Sequence, residues 1–409
     1  MPVRYTPPTA ESLLPVPGVA LGAAAGRIKK WDRDDVLLVL CDPGTVAAGV
    51  FTQNRFCAAP VTVCRQHLAK AQGMRALVVN AGNANAGTGQ SGLADAHSEC
   101  VAVARLIECA PEEVLVYSTG VIMESLPVDR VLSALPAARV AARGDGWLAA
   151  ANAIMTTDTV PKGASRRVDV GGVAVTVTGI AKGAGMIHPD MATMLAFMAT
   201  DAPIARSLLR DLVREIADVS FNGATVDGDT STNDSFVLAA TGRAAIPPIV
   251  TSGDARLLPI RAAIEACAID LAQAIVRDGE GATKFIAIRV EGGRNADECK
   301  RVAFGIAHSP LVKTAFFASD PNLGRIVCAI GNNAASDADP AHVSFWLDDV
   351  LVVDHGGRSP NYREEDGQRV MKQDEITVRV DLGRGKSAAT VWTCDFSHDY
   401  VSINADYRS

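Results

Sequence analysis

The chain has 409 residues, which is too long for one compact core, so we expect two lobes. Its formal net charge of −7 argues against nucleic acid or an anionic membrane surface as a partner. Hydrophobic residues make up 48% of the chain and aromatic residues only 5%, so small aliphatic side chains must fill most of the interior. The sequence has no run of 18 apolar residues, and we therefore predict no transmembrane helix.

The nine cysteines are odd in number and scattered, and no Cys-x-x-Cys pair occurs. This pattern indicates reduced, mostly buried thiols in a cytoplasmic protein. The same scatter, together with the lack of a His-x-x-x-His group, predicts no metal site.

Strand-like and helix-like periods alternate through the first half of the chain. We predict two strands paired through the turn at residues 42–44, then further strands and helices, then a hairpin that turns at Gly171-Gly172. In chain order these are strands 36–41, 45–52 and 76–80, helix 93–109, strand 114–117, helices 128–138 and 146–155, and hairpin 167–178.

The second half repeats this alternation and ends in a mostly β tail. Its predicted elements are a strand from 193 to about 200, helix 202–219, strand 235–240, helix 255–276, strand 284–290, helix 295–317, and tail strands 376–382 and 388–396. The whole pattern predicts a two-lobed mixed α/β fold in which helices pack on β-sheets.

The most informative segment is residues 181–202, which read AKGAGMIHPDMATMLAFMATDA. Thr193 stands at the start of an apolar strand and follows the small residue Ala192, which suits a chain that cuts itself and uses the freed threonine as a nucleophile. A threonine hydroxyl needs a base, and a new α-amine with a pKa of roughly 7.7–8.0 can serve near neutral pH.

A competing motif is the G-x-G-x-x-G sequence of residues 87–92, which could indicate a dinucleotide site. Seven residues (80–86) separate it from the preceding strand, and the acidic residue about twenty positions on, Glu108, falls at a helix end. We therefore expect the Asn- and Gly-rich loop at residues 80–86 to form a pocket wall or a set of tight turns.

Other polar residues have a functional and an ordinary interpretation, and the pattern alone does not separate them. Thr119 and Gly120 could form an oxyanion hole or a plain turn after a strand. Thr156 lies in an Asp/Thr-rich helix end. Lys182 and Glu280 are charges in glycine-rich loops of the kind that solvent usually covers, and the C-terminal residues 404–409 are typical of a frayed end.

Taken together, these segments resemble the ornithine acetyltransferase family, the glutamate N-acetyltransferases of arginine biosynthesis. The resemblance covers nearly the whole chain and is collinear. It rests on residues 26–30, the loop 80–86, Ser118-Thr119-Gly120, Thr156-Thr157-Asp158-Thr159, AKGAGMIHPDMATML, DGDTSTND at 227–234, RDGEG at 277–281 and Asn404.

The resemblance implies a self-cleaving, N-terminal-threonine acetyltransferase fold, cut between Ala192 and Thr193 into fragments 1–192 and 193–409. It implies Thr193 as the nucleophile and Thr119 with Gly120 as the oxyanion hole. The implied substrate contacts are Thr156, Lys182, Thr193, Glu280, Asn404 and the last residue, where the family commonly has threonine and this chain has Ser409.

The implied reaction moves acetyl from N2-acetylornithine to glutamate by a ping-pong route through acetyl-Thr193, without a cofactor. It leaves open acetyl-CoA as a second donor, and it implies a cytoplasmic assembly with two copies of each fragment. The alternative in a neighbouring class is a self-cleaving N-terminal-threonine amidase or aminopeptidase with water as acceptor. A third hypothesis is an uncut nucleotide-binding protein built on residues 87–92.

Overall fold

The computed structural model describes residues 2–187 and 194–405. The chain forms two compact units. The larger contains Thr6–Asn222 and Asp229–Ile275, and the smaller contains the described residues of Met1–Tyr5, Gly223–Gly228 and Val276–Ser409. Both units combine helices with β-sheets, so the predicted mixed α/β class is confirmed.

The larger unit has two sheets. The first has the order β1 (Val19–Ala24), β2 (Val36–Cys41), β4 (Ala76–Asn83), β5 (Val114–Val121). The second has the order β3 (Val46–Phe51), β9 (Ser235–Ala240), β8 (Leu195–Thr200), β7 (Val173–Lys182), β6 (Lys162–Val170). The pairs β4–β5 and β8–β9 are parallel, and the other pairs are antiparallel.

Side chains of both sheets share one core, in which the rings of Tyr117 and Phe197 meet edge to face at 4.9 Å. Helices cover the outer faces: α2 and α3 pack on the first sheet and α5 on the second. Every residue of β8 and β9 is buried, as expected for strands covered on both faces. The helices are α1 (Ala59–Lys70), α2 (Gly89–Ile107), α3 (Val128–Ala141), α4 (Trp147–Ala153), α5 (Arg206–Val219) and α6 (Leu257–Arg277), whose last two residues belong to the smaller unit.

The smaller unit is built on one sheet, with α7 packed on β10 and β15. Its strand order is β13 (Gly357–Arg358), β12 (Val350–Asp354), β11 (Ser344–Leu347), β14 (Glu375–Asp381), β10 (Phe285–Gly293), β15 (Ser387–Cys394). Its helices are α7 (Ala296–Ala307), α8 (Pro310–Phe317), α9 (Gly324–Asn333), α10 (Glu364–Met371) and α11 (His398–Ala405).

Two predicted elements are wrong. The strands at 36–41 and 45–52 do not pair with each other: the turn between them forms, with the Thr45 N–H donating to the Asp42 carbonyl, but it links two different sheets. The predicted helix 295–317 is two helices, because Pro310 cannot continue a helix interior and instead begins α8. The Ser309 hydroxyl caps α8 by accepting from the Val312 N–H.

The nine cysteines all lie in the described residues, none forms a disulfide, and six are buried. Over residues 2–187 and 194–405, no helix has the length and apolarity needed to cross a bilayer. Within the same residues, no cluster of His, Cys, Asp or Glu side chains is arranged to hold a metal ion.

Glu99 of α2 is a fully buried carboxyl group whose two oxygens have no hydrogen-bond partner in the part of the chain that the structure describes. Burial, with a smaller contribution from the charge of Asp95, raises the pKa of Glu99 well above its usual value. Burial without a hydrogen-bond partner therefore favours the neutral, protonated form of Glu99 in the folded state.

The Glu99→Gln variant tests this protonation. An acid whose folded pKa is raised stabilises the fold fully only below its unfolded pKa, about 4.3, and the stability is lost as pH rises toward the folded pKa. Relative to the native chain, we expect the free energy of unfolding of Glu99→Gln to improve from pH 5 to pH 8 in urea titrations. The exposed Glu108→Gln control should show no such trend, and a pH-independent difference for Glu99→Gln would contradict the assignment.

Candidate functional site

Thr119 and Gly120 lie near the end of β5 beside Ala81 and Gly82 of β4. Gly120 has φ +135°, and a Cβ there would lie 2.2 Å from the Gly82 carbonyl carbon, so this position accepts glycine alone. The two residues are therefore not the plain turn that the sequence left open. They lie in a strand with an irregular register, which is a common way to redirect backbone groups beside a site.

Lys182, the last residue of β7, contacts Thr119. Its Nζ donates to Thr119 Oγ1 at 3.1 Å, and both side chains are buried. Since an ammonium group can only donate, the Thr119 hydroxyl accepts in this bond and keeps its own proton for another acceptor. The structure thus brings together two residues predicted from separate motifs, and one of them becomes an oriented hydrogen-bond donor.

Asp158 joins the Thr156 segment to the residue that follows Lys182. Its Oδ2 accepts from the Thr156 N–H at 2.9 Å, and its Oδ1 accepts from the Gly183 N–H at 2.7 Å and from Lys162 Nζ at 2.6 Å. The Asp158 and Lys162 side chains are completely buried. One carboxylate therefore fixes the backbone at Thr156 and at the residue after Lys182, and Thr156 and Lys182 are both predicted to bind substrate.

The pKa values of two acidic groups near Lys182 are shifted in opposite directions. Burial alone would raise the pKa of Asp158, but the charges of Lys162 and Lys182 and the Gly183 N–H hold that pKa well below its usual value. Burial raises the pKa of Asp234 well above its usual value, and a bond with Ser231 and the charge of Lys182 offset this only in part. The counter-charges therefore favour the ionised form of Asp158, whereas burial favours the neutral form of Asp234.

Asn233 supports the strand that carries Thr119. Its Nδ2 donates to the Ser118 carbonyl at 2.8 Å and to the Ala84 carbonyl at 2.6 Å. The Ser118 hydroxyl in turn donates to Asn80 Oδ1 at 2.6 Å. Sequence reasoning gave Asn233 no individual role, although it lies in the family-like run at 227–234, directly before an apolar strand.

In the smaller unit, the structure brings together Glu280 and Asn404. Asn404 Nδ2 donates to Glu280 Oε2 at 2.8 Å and to the Tyr400 carbonyl at 2.9 Å. Glu280 is buried and Asn404, on α11, is exposed. Asn404 therefore belongs to a helix and not to a frayed end.

Three predicted positions, Ala192, Thr193 and Ser409, lie outside the described residues. The strands that flank the first two in sequence are β7, which ends at Lys182, and β8, which begins at Leu195, and these two residues pair with each other. Both strands belong to the larger unit, so the predicted cleavage point is not a boundary between the two compact units.

Side chains within the segment around the G-x-G-x-x-G pattern form hydrogen bonds with one another and with its backbone. Asn85 Nδ2 donates to the Gly92 carbonyl at 2.9 Å, and the Thr88 hydroxyl donates to Asn85 Oδ1 at 2.8 Å. Gly87 and Gly89 have positive φ angles, as tight turns require. The turn itself is short, because residues 80–83 belong to β4 and α2 begins at Gly89.

Removal of the Asp158 charge should be costly, because the Asp158→Asn variant leaves the Lys162 ammonium buried without its counter-charge. We expect the free energy of unfolding to fall by about 3–5 kcal/mol in urea titrations at pH 7. The native contribution depends on ionised Asp158, so it should be present above the unfolded pKa of about 3.9 and be lost as pH falls toward the lower folded pKa.

Asp145→Asn is the matched control, since Asp145 forms an exposed ion pair with Arg143. Such pairs contribute about 0–1 kcal/mol. Equal effects of the two substitutions would show that the buried pair does not stabilise the fold.

The sequence matches the model of the ArgJ family over residues 20–409. Among solved structures, the arginine biosynthesis bifunctional protein ArgJ of Bacillus halodurans is 36% identical, with 51% of this chain and 97% of that chain covered and a TM-score of 0.49. The ornithine acetyltransferase of Mycobacterium tuberculosis, solved with ornithine, is 37% identical, with 46% and 99% covered and a TM-score of 0.40. Because the family match spans nearly the whole sequence, this chain belongs to the ArgJ family.

Proposed function

We propose that this ArgJ-family acyltransferase of arginine biosynthesis transfers the acetyl group of N2-acetylornithine to glutamate. In this proposal the chain first cleaves itself between Ala192 and Thr193, and the freed Thr193 then carries the acetyl group. The observation that carries the proposal is the buried contact between Lys182 Nζ and Thr119 Oγ1, beside the glycine-only position 120.

That contact supports an oxyanion hole at Thr119 and Gly120. An oxyanion hole needs donors that are already oriented before charge develops. Lys182 makes Thr119 an acceptor on one side and leaves its hydroxyl proton to donate on the other. Asn233 holds the preceding Ser118 carbonyl, which keeps the strand from relaxing. The Gly120 N–H is the proposed second donor.

The proposed reaction has two half-reactions. The Thr193 α-amine takes the proton of Thr193 Oγ, which attacks the acetyl carbonyl of N2-acetylornithine. Thr119 and Gly120 stabilise the oxyanion until the C–N bond breaks and the α-ammonium returns a proton to the leaving ornithine amine. The amine of glutamate then attacks acetyl-Thr193, and the same groups act in reverse to release N-acetylglutamate.

The remaining predicted residues act in substrate recognition. Lys182 offers a positive charge to a substrate carboxylate, and Thr156 is fixed relative to it through Asp158. The Glu280 carboxylate, held by Asn404, suits a substrate ammonium group. Ser409 retains the hydroxyl that the family has at its last position.

We propose that the two fragments remain associated with two copies of each, and that the enzyme acts in the cytoplasm, in line with its nine unpaired thiols. Acetyl-CoA as an alternative donor can be tested in the same assay, with acetyl-CoA in place of N2-acetylornithine.

The Thr193→Ala variant is the first test. Without the hydroxyl nucleophile, we expect intact mass analysis to find one uncut 409-residue chain, and the transferase assay to find no activity. Thr193→Ser keeps a hydroxyl and should retain cleavage and part of the activity. An uncut Thr193→Ala chain with full activity would refute the assignment of Thr193 as the nucleophile. In the native enzyme, acetate release that does not require glutamate would favour the amidase alternative.

The Thr119→Val variant tests the oxyanion hole separately. Loss of one such donor typically costs about 10²–10³-fold in kcat, and we expect a fall of this size with little change in KM. Thr119→Ser keeps the hydroxyl and should stay within about tenfold of the native rate. If valine and serine lower kcat equally, the hydroxyl is not the donor.

A further inference from the structure

A second feature of the larger unit is a cleft lined by four arginines. It lies between α1 and α5 over β3, the edge strand of the five-stranded sheet, and has a volume of about 250 Å³. Its polar walls are Arg65, Arg206, Arg210 and Arg214, and its apolar walls include Phe51 and Leu68. Among the described residues that line it, none carries a carboxylate.

The arginines converge because of helix geometry. Arg206, Arg210 and Arg214 recur every four residues and so share one face of α5, over about 12 Å of its length. Arg65 comes from α1 on the opposite wall, where its Nη2 donates to the Thr52 carbonyl at 2.6 Å and its guanidinium lies 5.9 Å from the Phe51 ring centroid. Arg206 donates to the Leu68 carbonyl.

These contacts orient the guanidinium groups without neutralising them, since carbonyl groups and an aromatic ring carry no net charge. Within the part of the chain that the structure describes, the one ion pair of these arginines is weak: Arg214 lies 3.9 Å from Asp211, and both side chains are exposed. A second cleft, in the smaller unit, is lined by both arginines and carboxylates. There, Arg294 pairs with Asp337 at 2.9 Å.

We propose that the four-arginine cleft binds a small anion that carries phosphate groups. Four guanidinium groups provide more donors than one carboxylate can accept, whereas a diphosphate presents several oxygens on two adjacent centres. Arginine is the residue best matched to such groups, because its planar fork donates two parallel hydrogen bonds. Although the chain has a net charge of −7, the described lining of this cleft carries four positive charges and no negative one. The proposal is independent of the acetyl-transfer reaction.

Isothermal titration calorimetry of the full-length protein with inorganic pyrophosphate, at constant ionic strength, tests the site. We expect saturable binding with one site per chain. The double variant Arg210→Gln/Arg214→Gln should weaken it by about tenfold or more, because charge-assisted hydrogen bonds are lost. Both side chains are exposed, so this variant should fold, and its thermal unfolding temperature provides the check.

The matched control is Arg105→Gln/Arg139→Gln, which removes the same charge from exposed positions on α2 and α3 of the same unit. It should leave pyrophosphate binding within about twofold of the native chain. Equal weakening by both double variants, or no saturable binding, would overturn the proposal. Citrate serves as a polycarboxylate probe: weaker binding of citrate supports a phosphate ligand, and equal or tighter binding of citrate would overturn the assignment to phosphate.

Discussion

The buried carboxylate of Asp158 is the constraint on which the candidate site depends. It accepts from the Thr156 N–H, the Gly183 N–H and the Lys162 ammonium, so one group ties the end of β7 to the segment after α4 and to the start of β6. Ionised groups are rarely this buried, and the arrangement holds because each oxygen has a partner. The same carboxylate helps to position Lys182, because it fixes the backbone at the next residue, Gly183. The Lys182 ammonium then reaches Thr119.

Around this carboxylate, neutral amide groups complete the support. Asn233 bonds two carbonyl groups, one beside Thr119 and one in the loop after β4, and thereby connects the two sheets of the larger unit at their ends. Asp234, the next residue, is also buried, and burial raises its pKa well above the usual value. The site therefore combines one buried ion pair with hydrogen bonds from a neutral amide. Such a scaffold suits catalysis that needs fixed donors more than motion.

Local sequence patterns predicted most elements, and the hairpin that turns at Gly171-Gly172 forms, but not every strand partner could be predicted. The strand at 235–240 has the predicted limits, because its apolar run is bounded by polar residues and a glycine. The partners of residues 36–41 and 45–52 were wrong, because both strands are nearly all apolar and the choice of sheet depends on distant segments. The site could be predicted only by resemblance. Asp158 and Lys162 stand four residues apart outside any helix, and no local rule makes such a pair buried or functional.

The strand order of the five-stranded sheet has a consequence for a chain cut after residue 192. The central strands β8 and β9 would then belong to the C-terminal fragment. The strands on both sides of them, β3 on one side and β7 and β6 on the other, would belong to the N-terminal fragment. The two pieces could not part without breaking backbone hydrogen bonds along both flanks, so the nicked protein should persist as a single particle under native conditions. Unfolding, in contrast, would release two molecules in place of one. Refolding would then require two fragments to associate, which dilution disfavours. Cleavage would therefore turn a chain that can refold alone into a protein whose unfolding is hard to reverse.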